Sequence, residues 1–157
     1  MLTETSIEDT VPNRSLILEA LQDELRAKAF HITSENAEKT IYKRWDLLKL
    51  IYPDFKKLCQ TNLKMKPDVM LPTLWNLWLP LATQIASRYQ QFQSPLIQGI
   101  LGGQGTGKTT TCKVISLILS HLKYRTLSLS IDDLYKTYQA RLTLQKQDPR
   151  LILRGTP

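Results

Sequence analysis

Gly102-Gly103-Gln104-Gly105-Thr106-Gly107-Lys108-Thr109 is the stretch on which the reading of the fold turns. It matches Gly-x-x-x-x-Gly-Lys-Ser/Thr at every position, the spacing of a phosphate-binding P-loop. A triphosphate presents a row of negative oxygens, and a tight loop can aim successive backbone N–H groups at them. Glycines permit the unusual dihedrals and the close approach of backbone to ligand. A helix starting at the loop adds the positive end of its dipole. In such a loop Lys108 reaches the β- and γ-phosphates and the Thr109 hydroxyl ligates Mg²⁺. Thr110 is a further donor, towards the α-phosphate. The ligands expected are therefore ATP and Mg²⁺, held by Gly102 to Thr110.

The flanks extend the pattern. Leu96 to Leu101 is a short apolar run that reads as a buried strand entering the loop. Thr109 to Leu122 reads as a helix with Val114, Ile115, Ile118, Leu119 and Leu122 facing inward. Thr126 to Ile131 reads as a second strand, ending in Asp132-Asp133. Strand, helix, strand is a β-α-β unit, so parallel strands are expected. The fold class expected is α/β, a kinase-type P-loop NTPase parallel sheet, incomplete in this chain and preceded by a helical N-terminal region. Ligands of open α/β sheets bind outside the carboxyl ends of the strands, which puts Asp132 and Asp133 on the crevice of the P-loop. A carboxylate there accepts the proton of an attacking hydroxyl, or holds Mg²⁺ through water. The competing reading is a helix N-cap. A Walker B strand ending in the two acids ranks second, because Ser128 and Ser130 interrupt its apolar run.

Upstream, residues 1–12 read as a flexible tail and 13–93 as a helical region, with the kinase-type unit occupying 94–157 after Gln93-Ser94-Pro95. Ile17, Leu21 and Leu25, with Ala20 beside them, mark one apolar helix face. Thr33 or Ser34 can cap a second helix, striped by Ala37, Ile41, Trp45 and Leu48 and stopped near Pro53. Lys64 to Pro67 reads as a loop. A third pattern places Leu74, Leu77, Trp78, Leu81 and Ile85 on one face, with Pro80 forcing a kink or two shorter helices. Trp75 and Trp78 read as packing residues rather than a ligand platform.

A chain of 157 residues is long enough for one core-forming domain and a small appendage. The net charge of +7 favours anionic partners, yet the excess is spread along the sequence and its densest cluster, Lys56-Lys57 to Lys64 and Lys66, reads as a solvated face. No nucleic-acid partner is expected. Cys59 and Cys112 lie far apart, and His31 and His121 offer no metal-ligand spacing. The polar, acidic start of the chain resembles neither a signal nor a transit peptide. No apolar run approaches the ~20 residues that span a bilayer. A cytoplasmic protein with no membrane contact is expected.

Ser130-Ile131-Asp132-Asp133-Leu134-Tyr135 resembles the Ser-x-Asp-Asp-Phe-Tyr signature of the plant and fungal D-glycerate 3-kinases, P-loop kinases related to uridine kinase, pantothenate kinase and phosphoribulokinase. Asp148-Pro149 and the run Leu151 to Pro157, with its Arg154-Gly155-Thr156-Pro157, are similar to that family's Asn-Pro and Leu-x-x-Arg-Gly-x-Pro segment. The Trp-Leu-Pro of Trp78 to Pro80 looks like the family's helical N-terminal part. The resemblance covers most of residues 70–157. Leu134 departs from it, standing where Phe is usual.

The resemblance implies transfer of the γ-phosphate of ATP to D-glycerate or a similar hydroxy acid. Asp132 matches the acid that serves relatives as base or Mg²⁺-linked group, so Lys108 and Asp132 are the implied catalytic pair. Asp133, Tyr135 and Arg154 fall where the acceptor binds, and a guanidinium suits a carboxylate acceptor. Arg154 reads equally well as a surface arginine, and Tyr135 as a packing residue. The family continues past the equivalent of Pro157 with Gly-Thr-His-Asp and further elements. This chain is therefore expected to be a fragment or a truncated product that binds ATP weakly and turns over little. The alternatives are a kinase for another alcohol such as pantothenate or a nucleoside, a P-loop ATPase acting on nucleic acid or protein, and a nucleotide-binding remnant without activity.

Overall fold

Ala37, Ile41, Trp45 and Leu48 recur every three or four residues, which aligns them on one face of a helix. In the computed structural model, which describes Ile7 and residues 11–92, 94–134 and 136–148 without the side chains of residues 132 and 133, all four are buried on the long helix α3, Ala37–Leu58. Its start is set by Asn36 rather than by Thr33 or Ser34. The Asn36 side chain accepts from the Thr33 N–H at 2.8 Å and donates to the His31 carbonyl at 2.8 Å, folding the incoming chain into a turn. Pro53 does not stop α3. The helix runs through it to Leu58 and into a π-helical turn, Cys59–Leu63. Ile51, Tyr52, Phe55 and Cys59 are buried along that extension. Their burial outweighs the roughly 3 kcal/mol that an interior proline costs. The left-handed backbone of Lys64, at φ 52°, ends the run and opens the expected loop.

Before α3 lie α1, Arg14–Gln22, and α2, Glu24–Ala29. The stripe Ile17, Leu21 and Leu25 is not continuous. Asp23 ends α1, and its carboxylate accepts from the Arg26 N–H at 2.9 Å, which restarts the chain as a separate helix. Leu25 is consequently exposed, and Leu16 takes the buried position on α1. After α3, α4 spans Pro67–Thr73, a second π-helical turn spans Leu74–Trp78, and α5 spans Leu79–Phe92. The interruption expected at Pro80 is thus a widened turn just ahead of it. Proline lacks the N–H of the α-helical ladder, and the i→i+5 bond from the Leu79 N–H to the Leu74 carbonyl bridges the approach to it. Leu74, Trp75, Trp78, Leu79, Ala82 and Ala86 are buried, while Leu77 is turned outward.

Helix α6, Lys108–His121, packs on α3, on α5 and on the second π turn. Val114, Ile115, Ile118 and Leu119 are its buried residues, within the same core cluster as Trp45, Phe55, Leu74 and Trp78. Its inward face agrees with the sequence reading, but its cover is helical. At its far end His121 Nε2 meets Asp54 Oδ2 of α3 at 2.9 Å. Beyond it, Tyr124 stacks edge-on against Tyr89 at 5.5 Å and its hydroxyl accepts from Gln90 Nε2 at 2.6 Å.

The expected α/β architecture is not what forms. Among the described residues there is no β-strand, and the regular structure is helical throughout. Residues 96–101 and 126–131, read as two parallel strands, do not take strand structure. The physical reason is visible in their side chains. Ile97, Leu101 and Leu127 are 95%, 93% and 92% exposed, so no second layer covers them. A strand exists by hydrogen-bonding to a neighbour, and an apolar run alone does not supply one. The P-loop parallel sheet and the Walker B strand are both set aside on this ground.

The chain divides into two units, Met1–Leu127 and Ser128–Pro157. The first holds α1 to α6. The second holds a 3-10 turn, Ile131–Leu134, and α7, Tyr138–Gln147, where the Thr137 hydroxyl accepts from the Ala140 N–H at 3.3 Å. No helix among the described residues is long and apolar enough to cross a membrane. Cys59 and Cys112 are both free thiols.

Candidate functional site

The loop between residues 102 and 107 is shaped by its glycines. Gly105 and Gly107 take φ values of +77° and +80°, a region that any side chain disfavours. Two left-handed residues so close together turn the chain sharply into α6, whose first residue is Lys108. The N-cap position is Gly107 itself, and no side chain caps the helix. The first-turn N–H groups of a helix have no partner within it, so those of α6 face outward with the positive end of its dipole. No acidic residue lies in that first turn to offset it.

Two side chains close the loop from within. The Thr106 hydroxyl donates to the Gly103 carbonyl at 2.9 Å. Lys108 Nζ donates to the carbonyls of Gly102 and Gly103 at 2.9 and 2.6 Å. The ammonium is thus held across the mouth of the loop by neutral acceptors, and Lys108 has no carboxylate partner among the described residues. Gly102 is also sterically fixed, since a Cβ there would stand 2.7 Å from Thr106 Oγ1. Thr109 is exposed at the start of α6 and Thr110 is half-buried beside it, while Gln104 is exposed at the tip of the turn. The structure therefore brings Gly102, Gly103, Gln104, Gly105, Thr106, Gly107, Lys108, Thr109 and Thr110 together as one cationic turn.

A tie between this turn and the helical core was not visible in the sequence. Trp78 Nε1 donates to Thr111 Oγ1 at 3.3 Å, and the Thr111 N–H makes the first helical bond of α6, to the Gly107 carbonyl at 2.8 Å. The base of the loop is fixed to the second π turn by this contact and by the buried face of α6. The one available signal was the pairing of a buried-type tryptophan with a polar residue one turn into a helix, which fixes no partner by itself.

Asp132 and Asp133 belong to the second unit, on the 3-10 turn rather than at the end of a strand, and that turn is not the N-cap of a helix either, because Thr137 caps α7. Their side chains, together with Tyr135 and Arg154, lie outside the described residues. Among the described residues no group of three or more His, Cys, Asp or Glu side chains could hold a metal ion.

What the turn can do chemically is bind an anion with several oxygens. Outward N–H groups, a helix dipole and an ammonium all converge on its mouth, and the glycines leave the backbone accessible. This donor set fits the phosphates of a nucleotide, and the exposed Thr109 hydroxyl fits a ligand of the accompanying Mg²⁺. Compared with family models, curated proteins and solved structures, the chain finds no match.

Proposed function

We propose that this chain binds ATP with Mg²⁺ through Gly102 to Thr110 and contributes that site to a small-molecule kinase whose acceptor is D-glycerate or a similar hydroxy acid. The observation that carries the binding half is the turn itself: two left-handed glycines lead into an uncapped helix whose first residue, Lys108, holds its ammonium over the loop. On this reading Lys108 exchanges the carbonyls of Gly102 and Gly103 for phosphate oxygens, and the backbone N–H groups take up the remaining charge. Bound Mg²⁺ supplies charge neutralisation between phosphates, with Thr109 as its protein ligand.

The transfer half rests on the resemblance carried by Ser130 to Tyr135 and by Arg154 to Pro157. Asp132 serves there as the base for the acceptor hydroxyl or as a Mg²⁺-linked group, and Asp133, Tyr135 and Arg154 bind the acceptor, with the Arg154 guanidinium suited to its carboxylate. A cytoplasmic setting, with its supply of ATP, goes with this proposal. A second reading, nucleotide binding without phosphoryl transfer, draws on the helical architecture, which among the described residues offers no strand ends to line a crevice.

Calorimetric titration with MgATP tests the binding half: saturable binding to the wild type and at least tenfold weaker binding to Lys108→Ala are expected. Equal affinity in both proteins removes the loop from the proposal. Phosphorus NMR of a mixture with ATP and D-glycerate then separates the readings. A phosphoglycerate signal supports the kinase, ADP without it supports an ATPase, and unchanged ATP leaves binding alone.

A further inference from the structure

Arg44 lies on the buried face of α3, one turn from Ile41 and Leu48, and is only 7% exposed. Buried guanidinium groups ordinarily come with a carboxylate. Among the described residues Arg44 has none, and the nearby Asp23 pairs with Arg26 instead. Its polar contact is a long one, Nη1 to the Trp75 carbonyl at 3.5 Å, and its guanidinium carbon stands 5.3 Å from the centre of the Trp75 ring. The cation–π contact holds the group over the indole, and the single hydrogen bond leaves most of its N–H donors without a protein acceptor among the described residues.

Those donors border a cavity. It measures about 60 Å³ and is lined by Arg44, Arg26, Asn76 and Glu19 together with apolar residues that include Ile32 and Trp75. That is room for roughly four to six water-sized atoms, the size of phosphate, sulfate or a short carboxylate. Glu19 is exposed and forms no ion pair among the described residues. Arg26 adds a second guanidinium, shared with Asp23 at 3.0 Å.

We propose that this cavity is a binding site for a small oxyanion, held by the guanidinium of Arg44 and assisted by Arg26 and the Asn76 amide. A planar guanidinium presents two parallel N–H groups, the geometry that takes two oxygens of one anion. The electrostatics agree. Burial and the neighbouring charge of Arg26 pull the Arg44 pKa down to about 10, so the charged group lacks compensation in the fold, and an anion supplies it. The site lies among α1, α3 and the second π turn. It is separate from the loop at residues 102–107 and does not depend on the reading of that loop.

The test uses the full chain in chloride buffer, titrated with inorganic phosphate, then with acetate, and followed by melting temperature. Wild-type protein should show a saturable rise with phosphate. Lys108→Ala, which disables the loop as a competing phosphate site, should keep that rise. Arg44→Met should lose it, and Arg44→Lys should weaken it at least tenfold. Acetate at similar strength identifies a carboxylate-type site, and a response to phosphate alone identifies a phosphate-type one. A direct readout on the wild type needs no variant: the Arg44 side-chain Nε–H resonance should shift during the titration. A static resonance up to ~10 mM phosphate, or an undiminished melting response in Arg44→Met, overturns the proposal.

Discussion

If the loop-bearing helix α6 is anchored on helices, then Trp78 and Thr111 should be energetically coupled, and a double-mutant cycle measures that directly. The perturbations are Trp78→Phe, Thr111→Val and the pair. The donor–acceptor distance of 3.3 Å lies just past the usual 2.7–3.2 Å range for N–H···O bonds. The bond therefore belongs in the lower half of the ~0.5–1.5 kcal/mol that such bonds contribute. Thr111→Val keeps the side-chain shape and should cost about 0.5–1 kcal/mol. Trp78→Phe also removes part of a buried ring and should cost about 2 kcal/mol, mostly in packing. The coupling expected is about 0.5–1 kcal/mol, and the double mutant should be less destabilised than the sum of the singles by that amount. Urea unfolding followed by circular dichroism at the helix band is the assay, since the substitution removes a fluorophore. For a chain of this size each kcal/mol corresponds to roughly 2–4 °C in melting temperature. A coupling below about 0.3 kcal/mol would falsify the placement of α6 against the second π turn.

Other expectations follow from single residues. Gly107→Ala forces a side chain onto a residue at φ +80° and should cost about 1–3 kcal/mol of stability while weakening MgATP binding, both readable in one thermal-shift series. Phe55→Ala empties a fully buried position at the crossing of α3 with the second π turn and should cost about 3–5 kcal/mol by urea unfolding; a loss under 1 kcal/mol would contradict its burial. Asp54→Asn breaks a half-exposed contact with His121 and should change stability by less than about 1 kcal/mol. The pH dependence of Arg44 has a definite sign. Its folded-state pKa of about 10 lies below the ordinary arginine value, so above about pH 10 the folded chain gives up this proton before the unfolded chain does, and stability contributed by this site rises with pH. Arg44→Met, which removes the buried charge, should accordingly be at least as stable as wild type at pH 8 in chloride, with an advantage that shrinks by pH 10.5 in paired urea titrations.

Several elements were legible in the sequence because their determinants are local. The stripe from Ala37 to Leu48 needs only a helical period, and the inward face of α6 from Val114 to Leu119 likewise. The turn ahead of α6 was legible because Gly105 and Gly107 carry a left-handed backbone requirement that no other residue meets as well. The strands were not, because an apolar run such as Leu96 to Leu101 states a preference for burial without naming what buries it, and here nothing described does. Pro53 misled for a related reason: its cost is local, while the compensation from Phe55 and Cys59 comes from distant partners. Asp23 ended α1 through a single side-chain bond to Arg26, which an apolar period does not report. Arg44 falls three residues after Ile41 and four before Leu48, so the helical period alone places this charge on the apolar face that becomes buried.

The second π turn has a consequence for how this chain tolerates length changes. An α-helix advances about 100° per residue, and the i→i+5 bond from the Leu79 N–H to the Leu74 carbonyl makes room for one extra residue in a single wide turn. Removing one residue from that turn would let the segment relax to a plain helix while α4 and α5 keep nearly the same facing, because the wide turn exists to accommodate that residue. Deleting Asn76, half-buried within the turn, should therefore be better tolerated than deleting a residue from the middle of α5, which would rotate the positions beyond it by about 100°.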